Sequence, residues 1–190
     1  MDQPSRIDPV VRAAPLRALA DDVFARVSPY PGAGFRNHCQ RLHRFATGLM
    51  RLRGLELDTD LAYVIAMWHD LGIVSEIDEG ANYLQRSRAL FRRETTGVAL
   101  PTVEERVLDE CMLYNHRVLA VPNLSPEAEC FRNAVMIEHS RGLLRFGLDR
   151  ADIHTAFEEL PRENFDRVLL DFTWRTIKRE PLTIVHGIFF

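Results

Sequence analysis

Four side chains that can bind a metal ion occur where the sequence otherwise predicts apolar, inward-facing helix surfaces. His69 and Asp70 follow each other inside an almost uninterrupted apolar run, residues 62–73. His38 and Glu138 lie on the apolar faces of two other predicted helices. A buried carboxylate is unstable without a compensating partner. A metal ion, an arginine or exposure at a helix end could each compensate Asp70.

The combination of imidazoles and carboxylates favours a metal site. Two histidines with one or two carboxylates form a mixed nitrogen–oxygen ligand set that suits zinc, iron, manganese or nickel. Such a set leaves a position for water, which becomes a nucleophile near neutral pH. The side chains of adjacent helical residues point about 100° apart, so His69 and Asp70 cannot face the same way. We therefore expect them to flank one divalent ion from two sides.

Proline, glycine and capping residues divide the chain into helices. Thr102 and Glu105 form a capping box, and Ser125 precedes a proline at the first helical position. Asp58 caps the third helix, which is apolar on nearly every side and is expected at the centre of the bundle. No stretch alternates with the period of a strand, so an all-α fold is predicted. The helices are expected at about 9–27, 35–53, 58–70, 83–94, 102–116, 125–146, 152–160 and 162–178.

The length of 190 residues fits one domain with a substantial core. We expect a helix and loop at 1–34 that pack on the bundle, a main helical domain at 35–180, and an apolar tail at 181–190. The tail is too apolar for free coil and is expected to dock on the bundle or on a second subunit as a homo-oligomer contact.

Composition excludes several classes of function. The net charge of -3 argues against a general nucleic-acid partner. No segment has the length of a membrane span or the character of a secretory signal. Three widely spaced cysteines are typical of reduced, core-filling thiols. These features predict a soluble, cytoplasmic protein.

The order of the polar residues resembles the HD-domain superfamily of metal-dependent hydrolases. The resemblance rests on His38-x-x-Arg41, on His69-Asp70-Leu-Gly-Ile and on an acidic residue of a late helix, and it covers roughly residues 35–172. It implies a single-domain helical bundle of HD type that binds one metal ion.

Two departures from the family pattern bear on the ligand set. Val135 stands where many members have an aspartate ligand, and Glu138 follows one turn later on the same helix face. The resemblance therefore implies Glu138 as the fourth ligand, and loss of that ligand is the alternative. No histidine lies between Asp70 and His116, which argues against a two-metal site. Ile73 replaces a lysine that many phosphodiesterase members carry.

The resemblance implies that metal-activated water attacks a small-molecule substrate, first of all a phosphate ester. Asp70 or His116 would transfer protons. Arg41 and His116 would contact the substrate, or Arg41 would instead support Asp70. Two alternatives stay open: a nitrile or cyanamide hydratase of the same fold, and a non-catalytic ligand sensor with a degenerate site.

Overall fold

The computed structural model of the chain describes residues 16–98, 100–101, 103 and 105–183. These residues form only helices and no strand, so the predicted all-α, single-domain fold is confirmed. None of the described helices is long and apolar enough to cross a bilayer. The helices are α1 (Leu16–Val27), α2 (Gly34–Leu52), α3 (Thr59–Trp68), a 3-10 helix (Leu71–Ile73), α4 (Tyr83–Glu94), α5 (Glu105–Tyr114), α6 (Pro126–His139), α7 (Arg150–Glu159) and α8 (Phe165–Arg179).

The central helix is α3, as its composition predicted. Its first turn is capped by the Asp58 carboxylate, which accepts hydrogen bonds from the Asp60 and Leu61 amides at 2.9 Å each, as a helix N-cap does. Every residue from Leu61 to Trp68 is buried. Helices α1 and α2 pack directly on α3, and the polar end of this helix therefore projects into the interior.

Helix α2 connects α3 to α6, because it packs on both. Its inward face carries Leu42, Phe45 and Leu49 together with His38, as the spacing predicted, and all four are buried. Leu52, the last residue of the helix, is 58% exposed.

Helix α6 ends earlier than predicted, at His139 rather than near Phe146. Arg141 and Gly142 have φ values of 53° and 80°, which an α-helix cannot contain. The Gly142 amide closes the helix end by donating to the Ile137 carbonyl at 2.8 Å, a common way to end a helix. The apolar residues that follow the helix were the reason that the predicted end lay too late in the chain.

Three predictions fall on parts of the chain outside the described residues. These are the start of the first helix before residue 16, the role of Thr102 as a capping residue, and the docking of the apolar tail from residue 184 onward. They stay predictions, and so does the homo-oligomer that the tail was expected to form.

The turn after α3 is held against α4 by a close backbone approach at Gly72. Its amide donates to Ser87 Oγ at 2.9 Å, and the same hydroxyl donates to the His69 carbonyl at 2.7 Å. Arg86 Nε donates to the Gly72 carbonyl at 2.9 Å. These bonds fix the backbone on both sides of Asp70.

The end of α8 is fastened to the same region. The buried Glu180 carboxylate pairs with Arg86 and accepts a hydrogen bond from the Tyr83 amide at 3.0 Å. This pair links α8 to the first turn of α4, and through Arg86 to Gly72.

Replacement of Gly72 by alanine should lower the free energy of unfolding by about 1–3 kcal/mol. A Cβ there would overlap the Tyr83 carbonyl oxygen and lie 2.5 Å from the Ser87 amide nitrogen. Gly48→Ala is the matched control, because its Cβ would meet only the flexible Leu148 side chain, at 3.3 Å. Urea unfolding measures both variants, and equal stability of the two would contradict this view of the turn.

Candidate metal centre

His38 reaches the centre of the bundle from α2. Its ring is fully buried and stacks on Phe165 of α8, with centroids 4.1 Å apart and an interplanar angle of 12°. Its Nε2 lies 3.4 Å from Nε2 of His69. Stacking on Phe165 thus holds the Nε2 edge of the imidazole toward the end of α3.

Helix α3 ends at His69 and Asp70, whose donor atoms lie close together. His69 is the C-cap of the helix, and Asp70 precedes the 3-10 turn with φ -105° and ψ -4°. Asp70 Oδ2 lies 3.1 Å from His69 Nε2. The two side chains therefore reach a common position from two sides, as the sequence hypothesis required.

The donor atoms of His38, His69 and Asp70 lie within 4.8 Å of one another, and all three residues are buried. The separations are 3.4 Å between the two Nε2 atoms, and 3.1 and 3.8 Å from these atoms to Asp70 Oδ2. Ligands at 2.0–2.1 Å around a tetrahedral ion are about 3.3 Å apart. The group therefore has the spacing of three ligands of one ion.

Hydrogen bonding sets the tautomer of His69. Its Nδ1 lies 2.7 Å from the Ala66 carbonyl oxygen, which can only accept a hydrogen bond. Nδ1 therefore carries the proton, and Nε2 offers its lone pair to the common position. A ligating histidine in proteins is oriented by a bond of this kind.

Asp70 has no arginine or lysine within ion-pair distance among the described residues. Its contacts are imidazoles: His38 and His69 at Oδ2, and His116 Nε2 at 3.0 Å from Oδ1. The side chain is only 4% exposed, so water screens it little. A buried carboxylate in this setting requires a cation, either a metal ion or a protonated imidazole.

The pKa values of His69 and Asp70 also indicate that the Asp70 carboxylate requires a cation. Burial acts against the charged forms, but the mutual attraction of the pair outweighs it: the pKa of His69 is raised by Asp70, and that of Asp70 is held well below its usual range by His69 and His116. For His38, burial is the larger effect and lowers the pKa. A proton on His69 and a metal ion compete for the same nitrogen.

Glu138 lies on the other side of His38 and is not part of the ligand group. Its Oε1 is 3.3 Å from His38 Nδ1, whereas the ligand group faces Nε2. Arg41 binds the carboxylate through two hydrogen bonds, at 2.8 and 2.6 Å, and Arg162 adds a third at 3.0 Å. The geometry does not support the expected fourth ligand, since both oxygens are already occupied. Val135 belongs to the apolar core.

Arg41 also differs from its expected place. It was expected to contact the substrate or to support Asp70, but it is fully buried and its guanidinium spans Glu138 and the Leu160 carbonyl. Helical periodicity missed it because an arginine can reach a buried carboxylate along its long stem. The Arg41 guanidinium is occupied by these contacts, so it is unavailable to a substrate.

The contact between Glu138 and His38 places a negative charge behind the imidazole. The contact is short, but its direction is poor for a hydrogen bond, and His38 Nδ1 has no other partner among the described residues. The charge still favours a proton on Nδ1 and a lone pair on Nε2, toward His69. Glu138 thus acts on the ligand group through His38 and does not enter it.

His116 lies beside the ligand group, in the wall of a cavity of about 200 Å³. Its ring stacks on His69 at 5.6 Å, and Asp70 Oδ1 accepts a hydrogen bond from its Nε2. The cavity lies between the 3-10 turn, α4 and α8. Its described lining comprises Asp70, Ile73, Tyr83, His116, His139, Leu169, Phe172, Thr173, Thr176 and Thr183.

His139 also lines this cavity, and the sequence analysis did not single it out. Its ring centroid is 5.8 Å from that of His116 and 6.1 Å from that of His38. It is exposed toward the cavity at the last residue of α6. Position 139 lies one turn after Val135, on the same helix face, and that spacing could have identified it.

Comparison with protein-family profiles, curated proteins and solved structures gave no significant match. The helical fold and the buried His38–His69–Asp70 group are compatible with an HD-type site. The residues of this group can hold a metal ion, and their buried nitrogen and oxygen donors suit several divalent ions.

Replacement of His69 by alanine should abolish stoichiometric metal binding, because it removes the ligand with the fixed tautomer. Glu138→Gln should keep the stoichiometry and weaken affinity by about 10–100-fold, the usual effect of losing an orienting partner. His154→Ala, on the exposed side of α7, is the control. Elemental analysis and metal titration measure these values; unchanged metal content in His69→Ala would contradict the assignment.

Stability should depend on Glu138 and on pH. Hydrogen bonds from Arg41 and the contact with His38 outweigh the effect of burial and lower the pKa of Glu138 to about 2. A carboxyl group with a lowered pKa stabilises the fold above its unfolded value, about 4.3, and loses that contribution as pH falls toward the folded value. Glu138→Gln should cost about 3–5 kcal/mol near pH 7 and progressively less under acid.

Urea unfolding of chelator-treated protein at several pH values, down to the acid limit of the fold, measures this difference. Glu158→Gln, at an exposed position on α7, should show a small effect at every pH. A cost of Glu138→Gln that stays constant as the pH falls would contradict the charge role of Glu138.

Proposed function

We propose that the protein is a metal-dependent enzyme that adds activated water to a small molecule bound beside Asp70 and His116, by hydration or by hydrolysis. One observation carries the proposal: Oδ2 of Asp70 faces the two imidazoles, and Oδ1 accepts a hydrogen bond from His116, which lines the cavity. A ligand group and a proton-carrying side chain therefore share one carboxylate next to a space for a substrate.

A divalent ion held by His38, His69 and Asp70 would supply Lewis-acid chemistry and lower the pKa of a water molecule. His116 would hold or transfer the proton, because its Nε2 lies 3.0 Å from Asp70 Oδ1 at the cavity wall. Asp70 orients His116 in return. Phe172 and Leu169 of α8 form the apolar side of the cavity and would exclude bulk water.

The lining of the cavity bears on the class of substrate. None of its described residues is an arginine or lysine, and Asp70 brings a negative charge. A phosphate ester, the first expectation from the family resemblance, would depend on the metal ion alone for charge compensation. A small uncharged substrate with a polar reacting group, such as a nitrile, fits these walls better. The cavity volume of about 200 Å³ favours a compact molecule in either case.

Assays of protein loaded separately with zinc, iron, manganese or nickel should show faster turnover of small nitriles than of phosphate esters. His116→Gln should lower kcat by about 10²–10⁴-fold at unchanged metal content. His154→Gln, remote from the cavity, should leave kcat unchanged. Full activity of His116→Gln would contradict the proton role, and metal-loaded protein without turnover of either class would favour the ligand sensor.

A further inference from the structure

A second and larger cavity lies next to the one at the metal centre. Its volume is about 680 Å³, a size typical of small-molecule sites. The first turn of α4, the end of α5 and the chain after α8 surround it. Leu84, Leu113 and Leu182 provide apolar surface, and Tyr114, Gln85 and Arg117 provide polar groups.

Arg117 has no ion-pair partner among the described residues. Its guanidinium carbon lies 5.8 Å from the centre of the Tyr114 ring, and its Nε is buried without any hydrogen-bond partner. Other described arginines without an ion pair, such as Arg145 and Arg167, are exposed to solvent. A partly buried guanidinium with an unsatisfied donor is costly unless a ligand completes it.

The other charges around the cavity leave that of Arg117 uncompensated. The Glu180 carboxylate is occupied by Arg86 and by the Tyr83 amide. Arg179 pairs at 3.0 Å with Asp78, whose side chain is 97% exposed. The cavity therefore carries a net positive charge beside its apolar walls.

We propose that this cavity binds a small organic anion in which a carboxylate or phosphate head is joined to an apolar body. The head would pair with the Arg117 guanidinium, whose planar fork suits both groups. The body would pack on Leu84, Leu113 and Tyr114. This site is separate from the metal centre and does not depend on the proposed reaction.

The two cavities adjoin at Thr183, which lines both, and two chain segments lie between their other walls. Tyr83 and His116 line the smaller cavity, whereas their neighbours Leu84 and Arg117 line the larger one. A ligand at Arg117 would therefore lie behind the wall that carries His116. An anion that instead binds directly to a metal ion at the metal centre must be distinguished from a ligand at Arg117.

Calorimetric titration with hexanoate, hexyl phosphate and the uncharged hexanamide tests the proposal. At least one of the two anions should bind, and Arg117→Gln should weaken its binding about tenfold or more, because the variant loses the charged hydrogen-bond donor that pairs with the head. Hexanamide should bind much more weakly. Arg145→Gln, an exposed arginine outside the cavity, is the matched control and should bind as the natural protein does.

The same titrations on chelator-treated protein separate this site from the metal centre. Binding that survives metal removal and depends on Arg117 supports the proposal. Absence of binding by both anions, equal binding by Arg117→Gln, equal binding of hexanamide, or binding that disappears with the metal would each overturn it. Inorganic phosphate should bind less tightly than hexyl phosphate, and equal affinity would contradict the role of the apolar walls.

Discussion

The structure depends on how Asp70, a carboxylate at the end of the most buried helix, is compensated. The described residues around it offer imidazoles and no permanent cation. Two of these imidazoles present nitrogen atoms 3.4 Å apart beside the same oxygen. Two lone pairs and a negative charge converge favourably only around a cation, and the backbone of His69 and Gly72 is fixed by Ser87 so that they do converge.

The second buried carboxylate, Glu138, is compensated in a different way. Arg41 from α2 and Arg162 before α8 both bind it, and this contact joins α2, α6 and the segment that leads to α8. The arginines are therefore committed to structure and are unavailable to Asp70. The bundle separates a permanently paired carboxylate behind His38, which stabilises the fold and acts on that imidazole, from the ligand group in front of it.

The sequence predicted what depends on local pattern: the all-α fold, the central position of α3, and the inward direction of His38 and of His69 with Asp70. It did not predict what depends on contacts between helices. The Arg41 side chain reaches from α2 to Glu138 on α6, and only the packing of α6 on α2 shows that this carboxylate faces away from the ligand group. The end of α6 was also missed, because the positive φ at Arg141 leaves no mark in the hydrophobic pattern.

The most direct test of the central claim is the X-ray absorption spectrum of the zinc-loaded protein. We expect nitrogen and oxygen scatterers at about 2.0–2.1 Å, with the outer-shell pattern of two imidazoles, because His38, His69 and Asp70 offer these donors. The three cysteines of the chain are buried and should make no contribution. A sulfur distance of about 2.3 Å, or a spectrum of hydrated zinc without imidazole scattering, would contradict the account.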